Sequence, residues 1–350
     1  MKINFLLPFP PYKLTGGIKI MCEYAIKIAD QGHDVYVYSS NWTEYINKGS
    51  KWIKYYRTRL LKRYIPTWLE KTDNVTWITV PSIEDKYIRN ADIVISTWWQ
   101  TAFDTHLLSN SKGKKINLIQ DYENFVGHID LLHKSYDLPY TKNIVTYQEL
   151  GNQISEFTSK KNICVPYGIN TKKFQIRISL KDRNPFSICM LFSLQKRKNS
   201  YIGIEAVLEL KKKYPKISFC LYSLHPRPKN LPKWIDFIHQ PKDVSEIFNA
   251  SAIFLQNSTQ EGLPLNILEA QACGCAIVCS DIQGHKSVCE NNINSLIYPV
   301  NNRELLITRI SELIENKNLR IKIGNKASED VATHYNWDNA VTKMLKEFLI

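Results

Sequence analysis

Apolar and polar positions alternate along the chain in a way that predicts a series of strand, helix and strand units. Residues 3–9 form a short apolar run that reads as an opening strand, and residues 35–38 read as the next. Between them Ile18, Met21, Cys22, Ala25, Ile26 and Ala29 recur at three- and four-residue spacing, the signature of one helix face, and Gly32 supplies the stop. Further short strands are predicted at 75–80, 91–96, 115–119, 144–147 and 163–166, with helical or irregular material between them. Such an order suits a mostly parallel sheet with crossovers.

After residue 167 comes a polar, poorly patterned stretch to Asn184, and the pattern then begins again. Strands are predicted at 186–192, 217–222, 234–238, 252–256 and 276–279, and helices at 200–214, at 244–250 and from about 263 to 273. The last third reads as mainly helical. Two α/β domains in series follow from this, with ligands expected beyond the carboxyl ends of the strands and a cleft expected between the domains.

Composition narrows the class without choosing a function. The chain has 350 residues, 44% hydrophobic and 23% charged, which is enough apolar material for real cores and argues against a fibre or a disordered tail. Its eight cysteines lie among apolar neighbours without a Cys-x-x-Cys pair, so they read as buried small residues of a reducing compartment. No run of about eighteen apolar residues predicts a membrane span, and the prolines at 8, 10 and 11 fit an opening strand better than a signal peptide. A cytoplasmic protein is expected, at most held at the inner face of the cell membrane. Lys and Arg exceed Asp and Glu by 13, a surplus that favours phosphate-rich partners of any kind.

Two places carry candidate chemistry. Gly16-Gly17 stands between a strand and a helix, where small residues and free amides can approach a phosphate, although a plain tight turn would look the same. It lacks the Gly-x-Gly-x-x-Gly spacing of a dinucleotide site. The second place is the loop and helix of residues 261–274. Glu261 falls in the loop after an apolar strand, Pro264 or Leu265 can begin a helix, and Glu269 comes about a turn and a half in. A carboxylate at the first position can reach sugar hydroxyls, and one at the second can accept both hydroxyls of a ribose.

Glu261 and Glu269, separated by seven residues and with Gly262 after the first, resemble the Glu-x7-Glu signature of the family 4 retaining nucleotide-sugar glycosyltransferases. Gly16-Gly17, Pro166-Tyr-Gly-Ile-Asn170 and Lys198-Asn199 fall where that family places its corresponding elements, so the resemblance covers essentially the whole chain. It implies the GT-B fold, α/β, with two Rossmann-like domains facing each other across a cleft. Residues 1–165 would form the acceptor-side domain and 166–330 the nucleotide-sugar domain. Residues 331–350 would form a helix packing back on the first.

By the same resemblance the reaction is transfer of a sugar from a nucleoside diphosphate to a hydroxyl of a glycan or lipid-linked saccharide, without cofactor or metal. The resemblance makes Glu261 the carboxylate nearest the donor sugar, Glu269 the ribose ligand and Lys198 the cation on the diphosphate. Gly16, Gly17, Gly262 and Leu263 would supply further donor contacts. The arginine that many members carry five residues before the lysine is Ser193 here, which leaves Lys196 or Arg197 to substitute. Where the family often has a histidine, this chain reads Gln120-Asp121-Tyr122-Glu123-Asn124-Phe125. Asp121 is expected to take a catalytic role, with Gln120, Tyr122, Trp98 and Trp99 on the acceptor side. The hexapeptide also resembles the rhamnosyltransferase-like branch of bacterial surface polysaccharide synthesis, which points to dTDP-rhamnose as donor.

Residues 49–69 add a different chemistry. Six basic residues, Lys51, Lys54, Arg57, Arg59, Lys62 and Arg63, are interleaved with Trp52, Tyr55, Tyr56, Tyr64 and Trp68, and no acid occurs among them. Such a segment can lie on an anionic leaflet, cover a sheet edge or form a homodimer contact. Binding of single-stranded nucleic acid is the lesser reading. Other readings of the whole chain are another enzyme of similar fold, a sugar-nucleotide epimerase or a phosphorylase, and a non-enzymatic binder of anionic polymers.

Overall fold

The computed structural model describes residues 1–12, 14–43, 49–69, 72–124 and 127–349. Phe125, the last residue of the hexapeptide above, lies outside them. The chain divides into two compact units, one of residues 1–167 with 340–350, the other of residues 168–339.

The first unit runs β1 (Lys2–Leu7), α1 (Gly16–Asp30), β2 (Asp34–Ser39), α2 (Lys51–Leu60), β3 (Thr76–Thr79), β4 (Ile93–Ser96), α3 (Trp99–His106), β5 (Lys114–Ile119), α4 (Ile129–Tyr136), β6 (Thr141–Val145), α5 (Gln148–Ile154) and β7 (Ile163–Cys164). Its seven strands are all parallel and lie in the order β3-β2-β1-β4-β5-β6-β7. Apolar runs such as Ile93–Ser96 are buried along their whole length because helices cover a parallel sheet on both faces.

The second unit runs β8 (Ser187–Leu191), α6 (Ser200–Lys213), β9 (Ser218–Ser223), β10 (Asp236–His239), α7 (Val244–Ala250), β11 (Ile253–Gln256), α8 (Leu265–Ala272), β12 (Ala276–Ser280), α9 (Gln283–Lys286), β13 (Ser295–Tyr298), α10 (Arg303–Glu315) and α11 (Lys317–His334). Its six parallel strands take the order β10-β9-β8-β11-β12-β13. One core joins Ile188, Met190, Phe219, Leu221, Leu255 and Val278 to the helices above and below. The closing helix α12 (Trp337–Leu349) starts in the second unit and has its residues from Ala340 onward in the first.

In each sheet the strand order reverses at one point, between β1 and β4 in the first and between β8 and β11 in the second. At such a point the loops leaving the two neighbouring strands diverge and open a crevice at their carboxyl ends. The topology therefore selects four loops: 8–15 and 97–98 in the first unit, 192–199 and 257–264 in the second. The expected α/β architecture, with two Rossmann-like domains, is the architecture found. The last third is mainly helical, as expected, with α9 to α12, and the four-residue β13 completes the second sheet there. Among the described residues no helix is long and apolar enough to cross a membrane.

Candidate functional site

In the second unit the two loops at the reversal point meet through an ion-pair cluster. Residues 196–198 make one 3-10 turn, which Asn199 closes in the left-handed conformation with φ of 46° before α6 begins. The turn presents Arg197 and Lys198 to the other loop. The backbone N–H of Thr259 donates to the Arg197 carbonyl at 2.7 Å and fixes the two loops together. Lys198 Nζ then pairs with Glu261 Oε1, and Arg197 Nη1 with Glu261 Oε2 at 3.1 Å.

Neutral donors complete the carboxylate's shell. Ser258 Oγ donates to Glu261 Oε1 at 2.7 Å and Gln256 Nε2 to the same oxygen at 3.2 Å. Burial would raise the Glu261 pKa, but the two cations and these hydrogen bonds outweigh it and hold the carboxyl down at about 2. It is a fixed anion at any physiological pH. Ser193, at the place where an arginine was expected, instead shapes the loop: its N–H donates to Ser200 Oγ at 3.0 Å, and its own hydroxyl accepts from Gln195 N–H. Of the two basic residues that could substitute, Arg197 reaches the cluster and Lys196 stands exposed.

Behind Glu261 lies a histidine that the sequence reading passed over. α9 packs so closely beneath the loop that a Cβ on Gly284 would stand 2.2 Å from the Glu261 carbonyl oxygen. This places His285, fully buried, beside the cluster. Its Nδ1 lies 2.8 Å from the Ser280 carbonyl, which can only accept, so Nδ1 carries the proton and donates. Burial lowers its pKa to about 4, against the pull of the Glu261 charge, and the ring is neutral. Ser258, Ser280 and His285 thus form one chain of hydrogen bonds under the loop.

Gly262 and Leu263 continue from Glu261 to Pro264, which precedes α8 and leaves the first-turn amides without a side-chain cap. Glu269 sits in α8, in a helix buried on nearly all sides, and its side chain is itself buried. An acidic side chain in that position faces an enclosed environment, not bulk water.

In the first unit the corresponding loops hold the other group of expected residues. α1 begins at Gly16 with no side-chain cap from Thr15 on its leading amides. Gln120 Nε2 donates to the Gly17 carbonyl at 3.1 Å and to Thr97 Oγ1 at 2.9 Å, joining three loop ends. Asp121 Oδ1 accepts from Tyr122 N–H at 2.8 Å, and Tyr122 is stacked with His133 and Phe157 while its hydroxyl lies 2.7 Å from His133 Nε2.

The two tryptophans part company. Trp98 has φ of 75°, a strained conformation for a bulky residue, and its half-buried ring meets Phe9 edge-on. Trp99 was expected on the acceptor side, but at 2% exposure its ring is core, set against Phe103 and His128, and offers no face to a sugar. Glu123 was also missed. Its Oε2 accepts the Trp99 N–H at 3.1 Å at the start of α3, and burial together with nearby Asp121 lifts its pKa to about 8, with the Trp99 hydrogen bond opposing, so the acid is neutral at pH 7. Among the described residues no group of three or more His, Cys, Asp or Glu could hold a metal ion.

Comparison with known proteins adds the following. Residues 171–330 match the family model described as Glycosyl transferases group 1. Over 112 residues the chain is 32% identical to the N,N'-diacetylbacillosaminyl-diphospho-undecaprenol alpha-1,3-N-acetylgalactosaminyltransferase of Campylobacter jejuni, covering 32% of this chain and 30% of that one. Over 230 residues it is 28% identical to an uncharacterized glycosyltransferase of Haemophilus influenzae, covering 57% and 65%. The chain therefore spans between about a third and two thirds of these curated relatives. The crystal structure of HepE from Anabaena in complex with UDP superposes with a TM-score of 0.77 over 100% of both chains at 14% identity, a likeness of fold. The chain has the GT-B fold and is related, through its second unit, to the group 1 glycosyltransferases.

Proposed function

We propose that the protein is a retaining glycosyltransferase that moves a sugar from a nucleoside diphosphate donor to a hydroxyl of a glycan or lipid-linked saccharide. The observation that carries this reading is the cluster of Lys198, Arg197 and Glu261 at the strand reversal of the second sheet, followed at once by the open start of α8. Two cations beside a helix start that has no side-chain cap suit a diphosphate, and a carboxylate held among them suits the hydroxyls of the sugar it carries.

In the reaction the bond from the anomeric carbon to the β-phosphate oxygen breaks, and the acceptor oxygen bonds to that carbon from the same face. The departing phosphate oxygen takes the acceptor's proton. Lys198 and Arg197 offset the charge that grows on the leaving diphosphate, which lowers the barrier. Glu261 orients the sugar, Glu269 accepts from the ribose hydroxyls, and the Gly16 and Gly17 amides complete the phosphate contacts. On the acceptor side we assign Trp98, Gln120, Asp121 and Tyr122, with Asp121 nearest the reacting hydroxyl. The Campylobacter relative is named for a diphospho-undecaprenol substrate, which supports a lipid-linked acceptor. For the donor we propose dTDP-rhamnose, on the hexapeptide beginning at Gln120.

A thermal-shift screen against UDP, GDP, ADP, dTDP and their sugar conjugates tests the reading. A ligand at a hundred times its Kd stabilises the folded state by about 2.7 kcal/mol, so the preferred donor raises Tm clearly. Stabilisation by dTDP-rhamnose, lost in Glu269→Ala, is the expected result. Stabilisation by UDP-sugars instead would move the donor, and no shift with any nucleotide would overturn the transferase reading. Change of the donor sugar without an acceptor would mark an epimerase.

A further inference from the structure

The segment of residues 49–69 folds as α2 and an ensuing turn, and α2 is turned inside out relative to an ordinary surface helix. Its single buried side chain is Thr58, while Trp52, Ile53, Tyr56 and Leu60 are 44%, 70%, 61% and 84% exposed. At about 100° of rotation per residue these four fall on one arc of roughly 100°, on the side opposite Thr58. Arg57 and Arg59 border that arc on its two sides, and both are exposed. Lys51 and Lys54 point the other way and tie the helix to the first unit, through Glu84 at 3.3 Å and the Asn41 carbonyl at 3.3 Å.

The turn after α2 is fastened to the loop that leads into Gly16. Trp68 Nε1 donates to the Pro11 carbonyl at 2.7 Å, and the Arg63 guanidinium lies 5.0 Å from the centre of the Tyr12 ring. Tyr12 and Leu14 in that loop are themselves exposed. Exposed apolar side chains thus occur both on α2 and in the loop to which its ensuing turn is fastened.

We propose that this face docks on an anionic lipid bilayer, with the apolar arc of α2 lying in the headgroup layer and Arg57, Arg59 and Lys62 on the lipid phosphates. The choice of occupant follows from charge complementarity: an apolar strip bordered by cations, in a stretch without a single acid, matches a surface that is apolar below and negative above. The inference stands on α2 and its loop alone and does not depend on the transfer activity.

Sedimentation of the full chain with vesicles tests it, using phosphatidylcholine alone and phosphatidylcholine mixed with phosphatidylglycerol. Binding to the mixed vesicles, weakened by salt, with little binding to the neutral ones, is expected. Ile53→Ser/Leu60→Ser keeps the net charge and should weaken that binding about tenfold or more, with unchanged thermal melting. Arg57→Glu/Arg59→Glu should weaken it at least ~100-fold, and carries the test should the apolar variant melt early. Absence of binding to anionic vesicles, or binding that neither variant weakens, overturns the proposal. So does a wild-type dimer in sedimentation velocity that Ile53→Ser/Leu60→Ser converts to monomer, since the face would then belong to a second copy. Preferential binding of a single-stranded oligonucleotide through the same residues would likewise overturn it.

Discussion

Glu261 receives two cations and two neutral donors, and the difference between those two kinds of partner governs what single substitutions should do. On the proposed function a diphosphate would take the cations, and Ser258 and Gln256 would remain to hold the carboxylate in place. Glu261→Ala is expected to lower kcat/KM by two orders of magnitude or more, since it strands Lys198 and Arg197 and removes the sugar's acceptor together. Gly284→Ala should act on the same loop from below. Its Cβ would press on the Glu261 carbonyl at 2.2 Å and that of Gly262 at 2.5 Å, both backbone atoms that cannot step aside, so a loss of about 1–3 kcal/mol in thermal unfolding is expected. The buried His285 gives the folded state a pH dependence. Its folded pKa, about 4, lies below the 6.5 of the free side chain, so its contribution is whole above pH 6.5 and fades as pH falls toward 4. Glu261 follows at lower pH, with a contribution present above 4.5 and lost toward 2. Denaturant titrations should show His285→Asn flattening the first of these two declines, a difference of ~3 kcal/mol at most.

At the level of elements, α3 shows how a helix start can depend on a residue far along the chain. Its first N–H groups find no side-chain cap at Trp98, and the carboxyl of Glu123 supplies one acceptor from the loop after β5. That carboxyl has its folded pKa raised to about 8 from 4.5, so the fold loses relative stability as pH rises from 4.5 through 8. Glu123→Gln keeps an acceptor without the charge, and should be more stable than the native chain at pH 8 by up to about 4 kcal/mol, the two converging only below pH 4.5 in chemical unfolding. This interaction was not legible from sequence, because it joins residues 24 apart in the loops that leave the neighbouring parallel strands β4 and β5. The apolar runs of β4, β8, β11 and β12 were legible, since strands buried on both faces admit hardly any polar residue. β13, only four residues after an Asn-rich stretch and at the sheet's edge, carried too little of that signal. The place of Glu261 and Lys198 was visible as a motif, yet Gln256, Ser258 and His285 were not, because their partners are set by how loops cross in space. Trp98 and Trp99 could not be told apart either, as the positive φ at Trp98, which leaves one ring half-buried and the other in the core, makes no mark in the sequence.

For the molecule as a whole, the path of the chain makes the first unit dependent on its far end. The chain leaves that unit at residue 167, builds the second, and returns at residue 340. Outgoing and returning stretches run side by side where Ile169 N–H donates to the Tyr335 carbonyl at 2.9 Å, and a Cβ on Gly168 would meet Trp337 N at 2.3 Å, so only glycine permits the approach. After the return, Val341, Met344 and Phe348 of α12 are buried, and Lys114 and Lys142 donate to the carbonyls of Phe348 and Glu347, which a helix end would otherwise leave unpaired. Removing residues 340–350 therefore withdraws three large apolar side chains, worth at least about 5 kcal/mol together, from a unit that cannot replace them. The second unit, closed within residues 168–339, loses none of its own core. Calorimetry of the truncated chain should show the transition of the first unit lowered or absent and that of the second unit retained. Because Lys198, Arg197, Glu261 and Glu269 all belong to the second unit, the proposed function requires that the retained transition still move upward with the donor nucleotide. A truncated chain that melts in one step, with both units lost together, would show that the second sheet depends on the first for its stability.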